Sequence, residues 1–307
     1  MEGIMMRNQD QYSIAVRKPD QEIEIKVEPY KSVINCKPLL KIPIVRGGVS
    51  FIDSLVVGIK CLMYSATFFE EEEDPKKQEM SEEERKAQEE KEKKQEKAMM
   101  TGTLIFSIVI AVAVFMMLPY FLTNLLRQVI ASKWIISLLE SIVRVVIFLG
   151  YLLLVSPMKD IQRTFMYHGA EHKTIFCYEN GLELTVDNVR KMSRFHPRCG
   201  TSFMFVMIII SVFISSVLVL IFPHLAEINR ILWMLIKLCI LPLVMGLGYE
   251  FIKFAGKHDN VLVKILSYPG LLMQHITTNE PEDDVIEVAI ESIKAVITDN
   301  PEDDRIK

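Results

Sequence analysis

The hydrophobic residues of this chain fall into blocks, and two different periods run through them. Near the start, Tyr12, Ile14 and Val16 alternate with polar or small residues, as do Ile23, Ile25 and Val27, and Lys18-Pro19-Asp20-Gln21 lies between the two runs. Period-two alternation marks strands with one face buried, and Pro19 presets the φ that a tight turn needs. The pattern predicts a β-hairpin inside a small β-containing unit over residues 1–45. Arg46-Gly47-Gly48 then leads into Val49–Phe69, apolar enough to bury but interrupted by Asp53 and Lys60. Residues 46–69 are therefore expected to form an interfacial or re-entrant helix, with a membrane crossing as the alternative.

Four longer blocks follow: Thr103–Leu126, Trp134–Ser156, Ser202–Phe222 and Ile231–Phe254. Each approaches the roughly 20 residues that a helix needs to cross the hydrocarbon core of a bilayer. Short linkers join the first to the second and the third to the fourth, so residues 98–156 and 202–254 read as two transmembrane hairpins. Within them Pro119 and Pro242 are expected to kink their helices, Gly246 and Gly248 to let a neighbour approach, Lys237 to snorkel, and Glu140 to pair with Arg144 four residues on. Val261–Gln274 is again apolar, but Pro269-Gly270 is expected to break it, leaving a helix on the membrane or under the bundle. The Pro-Glu-Asp-Asp tetrads at 281–284 and 301–304 place acids where a helix would begin, and the first precedes an amphipathic run from Val285 to Val296.

Half of the 307 residues are hydrophobic and about a quarter are charged, an average that a soluble domain could also carry. Distribution decides the class. Residues 70–97 hold Met80 as their sole large apolar side chain and cannot offset their ordering entropy by burial. They read as a solvated insertion, with an interaction tail as the other possibility. The net charge of -4 shows no basic bias, so nucleic acid is not an expected partner. Lys159, Arg163, Lys173, Arg190, Lys191, Arg194 and Arg198 concentrate between the hairpins, and the positive-inside rule then sets the 157–201 segment and both termini in the cytoplasm of a multi-pass plasma-membrane protein. The five cysteines are odd in number and widely spaced, as suits a reducing compartment.

The chemistry concentrates in the same segment. In His168-Gly169-Ala170-Glu171-His172 a helical backbone would put both imidazoles on one face, at the spacing that grips a single metal ion, with Glu171 beside them as a general base. His196 and Cys199, in His196-Pro197-Arg198-Cys199-Gly200-Thr201, are candidate further ligands. Glu250, near the end of the fourth block, could complete the shell or pair with Arg198. The competing account has these residues contact lipid headgroups or cap helix ends. Cys177 and Tyr178 read as packing residues.

With these motifs in view, the chain resembles the YqhQ-like family of bacterial membrane proteins, a group of unknown function sometimes labelled predicted metal-dependent enzymes. The resemblance rests on Gly3-Ile4-Met5-Met6-Arg7, Ala15-Val16-Arg17, Arg46-Gly47, the HGAEHK and HPRCGT motifs at 168–173 and 196–201, and Tyr249-Glu250. It continues through Gln274, Thr277-Thr278, Glu280-Pro281 and Glu287-Val288-Ala289.

The expected fold is an all-α polytopic membrane protein of four or five helices, with the small β-containing N-terminal unit and a cytoplasmic cap that includes residues 157–201 and the C-terminal region 255–307. The expected function is a membrane-bound metal-dependent hydrolase. His168, His172, His196, Cys199 and Glu250 would hold a divalent ion such as zinc, and Glu171 would activate water against a lipid or membrane-protein substrate. The rival is a non-enzymatic factor that scaffolds, inserts or stabilises other membrane proteins. A transporter is disfavoured because the spans show no internal repeat.

Overall fold

The computed structural model describes residues 2–34, 40–69, 98–99, 101–126, 129–130, 132–197, 199–226, 228–257 and 260–298. The charged 70–97 tract, the second Pro-Glu-Asp-Asp tetrad and Arg198 lie outside the described residues. The chain divides into two compact units, one of residues 1–69 with 151–307 and one of residues 70–150.

In the first unit, strands β1 (Gly3–Asn8), β2 (Gln11–Arg17) and β3 (Ile23–Pro29) form an antiparallel meander in the order β1-β2-β3. The expected hairpin is β2–β3, with Tyr12 opposite Glu28 and Arg17 opposite Ile23. Its corner is tied by Asp20, whose carboxylate accepts from the Glu22 N–H at 3.0 Å, while Gln21 takes up a left-handed φ of 73°. Strand β2 is buried on both faces. Tyr12, Ile14 and Val16 face Val57 of helix α1 (Pro43–Ala66), whereas Ala15 packs with Ile4 and Met6 of β1 against Val285, Val288 and Ala289. Ser13 also points that way, its hydroxyl 2.7 Å from the Ser292 carbonyl oxygen. β3 is an exposed edge that carries Glu24 and Lys26, charges of the kind that disfavour edge-to-edge pairing.

Helix α1 runs unbroken through Asp53. That residue is only 3% exposed, and its carboxylate accepts from Tyr30 Oη at 3.0 Å and the Val33 N–H at 2.8 Å. The charge that interrupts the apolar pattern is thus a structural acceptor.

The second unit holds helix α2 (Thr101–Leu125) and the first part of helix α3 (Lys133–Val155). The last turn before Pro119 widens to a π-helical segment, Ala113–Met117. Proline has no N–H to give the carbonyl four residues back, that of Phe115. Arg144 fills the place: its Nε donates to Phe115 O at 3.1 Å and its Nη2 to Glu140 at 2.9 Å. The expected Glu140–Arg144 pair is present and also satisfies the carbonyl that Pro119 leaves open.

The chain returns to the first unit through helices α4 (Lys159–Glu179) and α5 (Val186–Arg190), then α6 (Gly200–Ile221), α7 (Arg230–Lys257), α8 (Val261–Thr277) and α9 (Asp283–Lys294). α7 packs against both α1 and α6, and α8 against α6. At the α1–α7 contact Gly47 faces Gly246, and a β-carbon on Gly47 would come within 2.8 Å of the Gly246 Cα. The small-residue approach expected at Gly246 is therefore made with α1. One element differs from expectation: Pro269-Gly270 does not break its segment, and α8 continues to Thr277. The missing N–H removes one hydrogen bond, while a cap on Asn260, the burial of Val263, Gly270 and Met273 against the fold and the anchoring of Gln274 hold the rest. α9 buries Val285, Ile286, Val288, Ala289, Ile290 and Ile293 as its periodicity predicts, and starts at Asp283 with Glu282 as its N-cap.

Pro43–Ala66, Thr101–Leu125, Leu138–Val155 and Leu232–Ala255 are each long and apolar enough to cross a membrane, and Val206–Ile221 is a shorter apolar stretch. The chain is a multi-pass membrane protein, mostly helical, with a three-stranded sheet near its start.

Candidate functional site

HGAEH lies in the middle of α4. The helix sets His168 and His172 one turn apart on one face, their ring centroids 4.4 Å from each other. Gly169 stands between them because the linker from α8 to α9 crosses there: the Asn279 N–H donates to Phe165 O at 2.9 Å, and a β-carbon on Gly169 would overlap the Asn279 carbonyl oxygen.

Each imidazole has one nitrogen committed to the main chain. His168 Nδ1 is 2.8 Å from the Thr277 carbonyl oxygen, and His172 Nδ1 is 2.6 Å from that of Arg194. A carbonyl only accepts, so each Nδ1 carries the proton and each Nε2 of a neutral ring presents a lone pair. His168 Nε2 is 3.1 Å from Cys199 Sγ. Ligand atoms of His168, His172 and Cys199 all lie within 4.8 Å of one another, and His172 and Cys199 are buried.

The loop that delivers Cys199 is clamped from two sides. Gln274 of α8, fully buried, accepts from the His196 N–H at 2.8 Å and donates to the His196 carbonyl at 2.7 Å. Arg194 donates to Thr278 O, Phe195 stacks on His275 at 4.4 Å, and buried Lys173 donates to Arg190 O at 3.0 Å and pairs with Glu280 at 2.7 Å. A small cleft has Cys199, Val206, Phe251 and Ser267 among its lining.

Of the residues singled out from sequence, the structure brings His168, His172 and Cys199 together. His196 is one ring further out: its centroid is 5.6 Å from that of His172, and its Nε2 is 3.6 Å from Glu179. Glu171 lies beside His168 on α4. Burial pushes its carboxyl above the ordinary value, an effect that a protonated His168 would oppose, and no hydrogen bond or ion pair holds it among the described residues. Glu250 is held elsewhere, in a two-pronged pair with Arg46 at 2.7 and 2.6 Å, so it stands at the α1–α7 contact and not among the histidines. Sequence reasoning missed the partners that orient the rings, the Thr277 and Arg194 carbonyls. Main-chain acceptors carry no side-chain signature, although Gln274 and Thr277-Thr278 already stood out in the family resemblance.

The HGAEHK and HPRCGT motifs both lie within a stretch that matches a known family. The profile described as Protein of unknown function (DUF1385) matches residues 42–299. "Uncharacterized protein YqhQ" of Bacillus subtilis (strain 168) is 34% identical over 300 residues, which is 97% of this chain and 90% of that protein. No solved structure matches the chain. Neither name carries a reaction, but the extent of both matches is enough to conclude that the chain belongs to the DUF1385 family.

Proposed function

We propose that this protein is a membrane-bound metal-dependent hydrolase whose site faces the cytoplasmic surface of the membrane, with His168, His172 and Cys199 as ligands and Glu171 as general base. The observation that carries the reading is the commitment of both Nδ1 atoms to main-chain carbonyls, the arrangement by which metal-binding histidines are oriented and their Nε2 lone pairs presented. Two nitrogens and a sulfur within 4.8 Å suit zinc or another borderline divalent ion, and three protein ligands leave a position open. An ion bound there would polarise a carbonyl or phosphoryl group and acidify a water. Glu171, one residue from His172 and without a hydrogen bond or ion pair among the described residues, would take the proton of the attacking water. His196 and Glu179 flank the ligands and would hold them in place. The basic residues of the 157–201 segment support the cytoplasmic orientation, and the substrate would be a lipid or a membrane protein.

A second reading has one observation behind it. The same histidines tie α4 to the loop before α6 and to the end of α8, which a purely structural polar network would also do. The protein would then be a non-enzymatic factor that scaffolds or stabilises other membrane proteins.

Elemental analysis of protein purified without chelator, beside a His168→Ala/His172→Ala variant, separates the two. About one zinc, iron or manganese per chain, lost in the variant, is the expected result. Glu171→Gln should then keep the metal and lose hydrolytic turnover in a screen of lipid and membrane-peptide substrates. No metal in the parent protein, with a lowered thermal midpoint in the variant, would overturn the first reading in favour of the second.

A further inference from the structure

α1 has the length and apolarity of a span, yet its two faces meet different surroundings. Val57, Cys61, Tyr64 and Phe68 lie under Tyr12, Ile14 and Val16 of the sheet, Asp53 takes the Tyr30 and Val33 hydrogen bonds, and the Lys26 ammonium stands 4.8 Å over the Tyr64 ring. The other face of that sheet is packed on α4 and α9. The second half of α1 is therefore built into the same layer as the histidine cluster, beside a strand whose Glu24 and Lys26 are exposed. The start of α1 meets the last part of α7, through Arg46–Glu250 and Gly47 against Gly246. A 24-residue helix is about 36 Å long, enough to cross a hydrocarbon core of about 30 Å. If α1 did cross, its second half would carry the sheet, and with it α4 and α9, away from the membrane face where α7 ends and α8 begins. With α2 and α3 taken as spans that cross and return, the end of α1 and the start of α4 share a side.

The outward face of α1 consists of Ile52, Leu55, Ile59, Leu62 and Met63, exposed by 41, 51, 43, 53 and 44%. Their spacing of three and four residues makes a single stripe along the helix, with exposed Lys60 at its border. We infer that α1 lies along the cytoplasmic membrane surface as an interfacial helix, this stripe seated at the boundary between lipid headgroups and acyl chains and the sheet resting on its back. A helix with one apolar face bound to protein and the other to lipid holds the cap at a set height over the bilayer, which the spans alone would leave to the linkers. The inference rests on α2 and α3 being membrane spans and not on the metal site.

The test uses the full-length protein in sealed vesicles of both orientations, with Lys41→Cys, Thr67→Cys, Lys191→Cys and Val129→Cys introduced singly. A membrane-impermeant maleimide is applied, and the labelled peptides are identified by mass spectrometry, which separates them from native cysteines. Lys41 and Thr67, at the two ends of α1, should label from the same side as Lys191, and Val129, between α2 and α3, from the opposite side. Lys41 and Thr67 labelling from opposite sides would overturn the inference. Val129 labelling with Lys191 would instead overturn the span reading beneath it. Nitroxides at Leu55→Cys and Leu62→Cys give a second readout: equal, shallow depths support an interfacial helix, and depths on either side of the bilayer midplane refute it.

Discussion

Gly169 shows how one missing side chain lets two elements meet at the site. The α8–α9 linker can lie on α4 because nothing projects from that position, so a methyl group there must push the backbone at Asn279. Gly169→Ala should lower stability by about 1–3 kcal/mol, the usual cost of overpacking, seen as a lower thermal unfolding midpoint in detergent. Asp53 is a residue of the opposite kind, an acid on an apolar helix kept there by two donors. Asp53→Ala would leave the Tyr30 hydroxyl and the Val33 N–H without an acceptor, and a loss of about 1–3 kcal/mol is expected. Arg144 belongs with it. Arg144→Leu would remove the cation beside Glu140 and the donor to the Phe115 carbonyl, and should destabilise more than Glu140→Gln, which keeps a hydrogen-bond acceptor; comparative thermal melts decide the order.

Between elements, the first turn of α9 is a cation anchor. Arg163 of α4 reaches Glu2 at 2.7 Å, Glu282 at 2.9 Å and Asp284, while Arg17 of β2 binds Glu287 and the Asp284 carbonyl. Burial alone would raise the Asp284 carboxyl, but the hydrogen bond and charge of Arg163 outweigh it and hold the group below its ordinary value. A carboxylate with a depressed folded value contributes stability that is present above the unfolded value and lost as pH falls through the folded one. The attachment of α9 and β1 to α4 should therefore hold at neutral pH and loosen below about pH 4. Limited proteolysis across that range should cut near residues 280–298 more readily in acid, and Arg163→Ala should remove most of the pH dependence. At the α1–α7 contact, Gly246→Leu should separate the helices, because the larger side chain would meet the Ile44 backbone.

On the scale of the whole molecule, several helices are long and apolar enough to cross a membrane, and the proposal that the histidine cluster faces the cytoplasm rests on the basic bias of residues 157–201. An export-dependent reporter fused after the last residue should be inactive, and one fused within the α2–α3 connection active. The reverse pattern would put the cluster outside the cell and remove the ground for a cytoplasmic substrate.

What the sequence determined by itself was everything that repeats with a short period or acts within one turn of helix. The β2–β3 hairpin, the apolar helices, the buried face of α9, the Glu140–Arg144 pair and the shared face of His168 and His172 follow from spacings of two, three or four residues. Tertiary structure alone decided the associations that link distant positions through surfaces or main-chain groups. It gave Glu250 to Arg46 and not to the histidines, set Cys199 and not His196 against His168, and turned each ring with a carbonyl from another segment. It also carried α8 through Pro269-Gly270, since local propensity costs one hydrogen bond where packing and the Gln274 anchor contribute several contacts. The physical reason is common to these cases: a periodic pattern specifies which face of an element is apolar, whereas the partner of a given polar group is specified only when the faces have met.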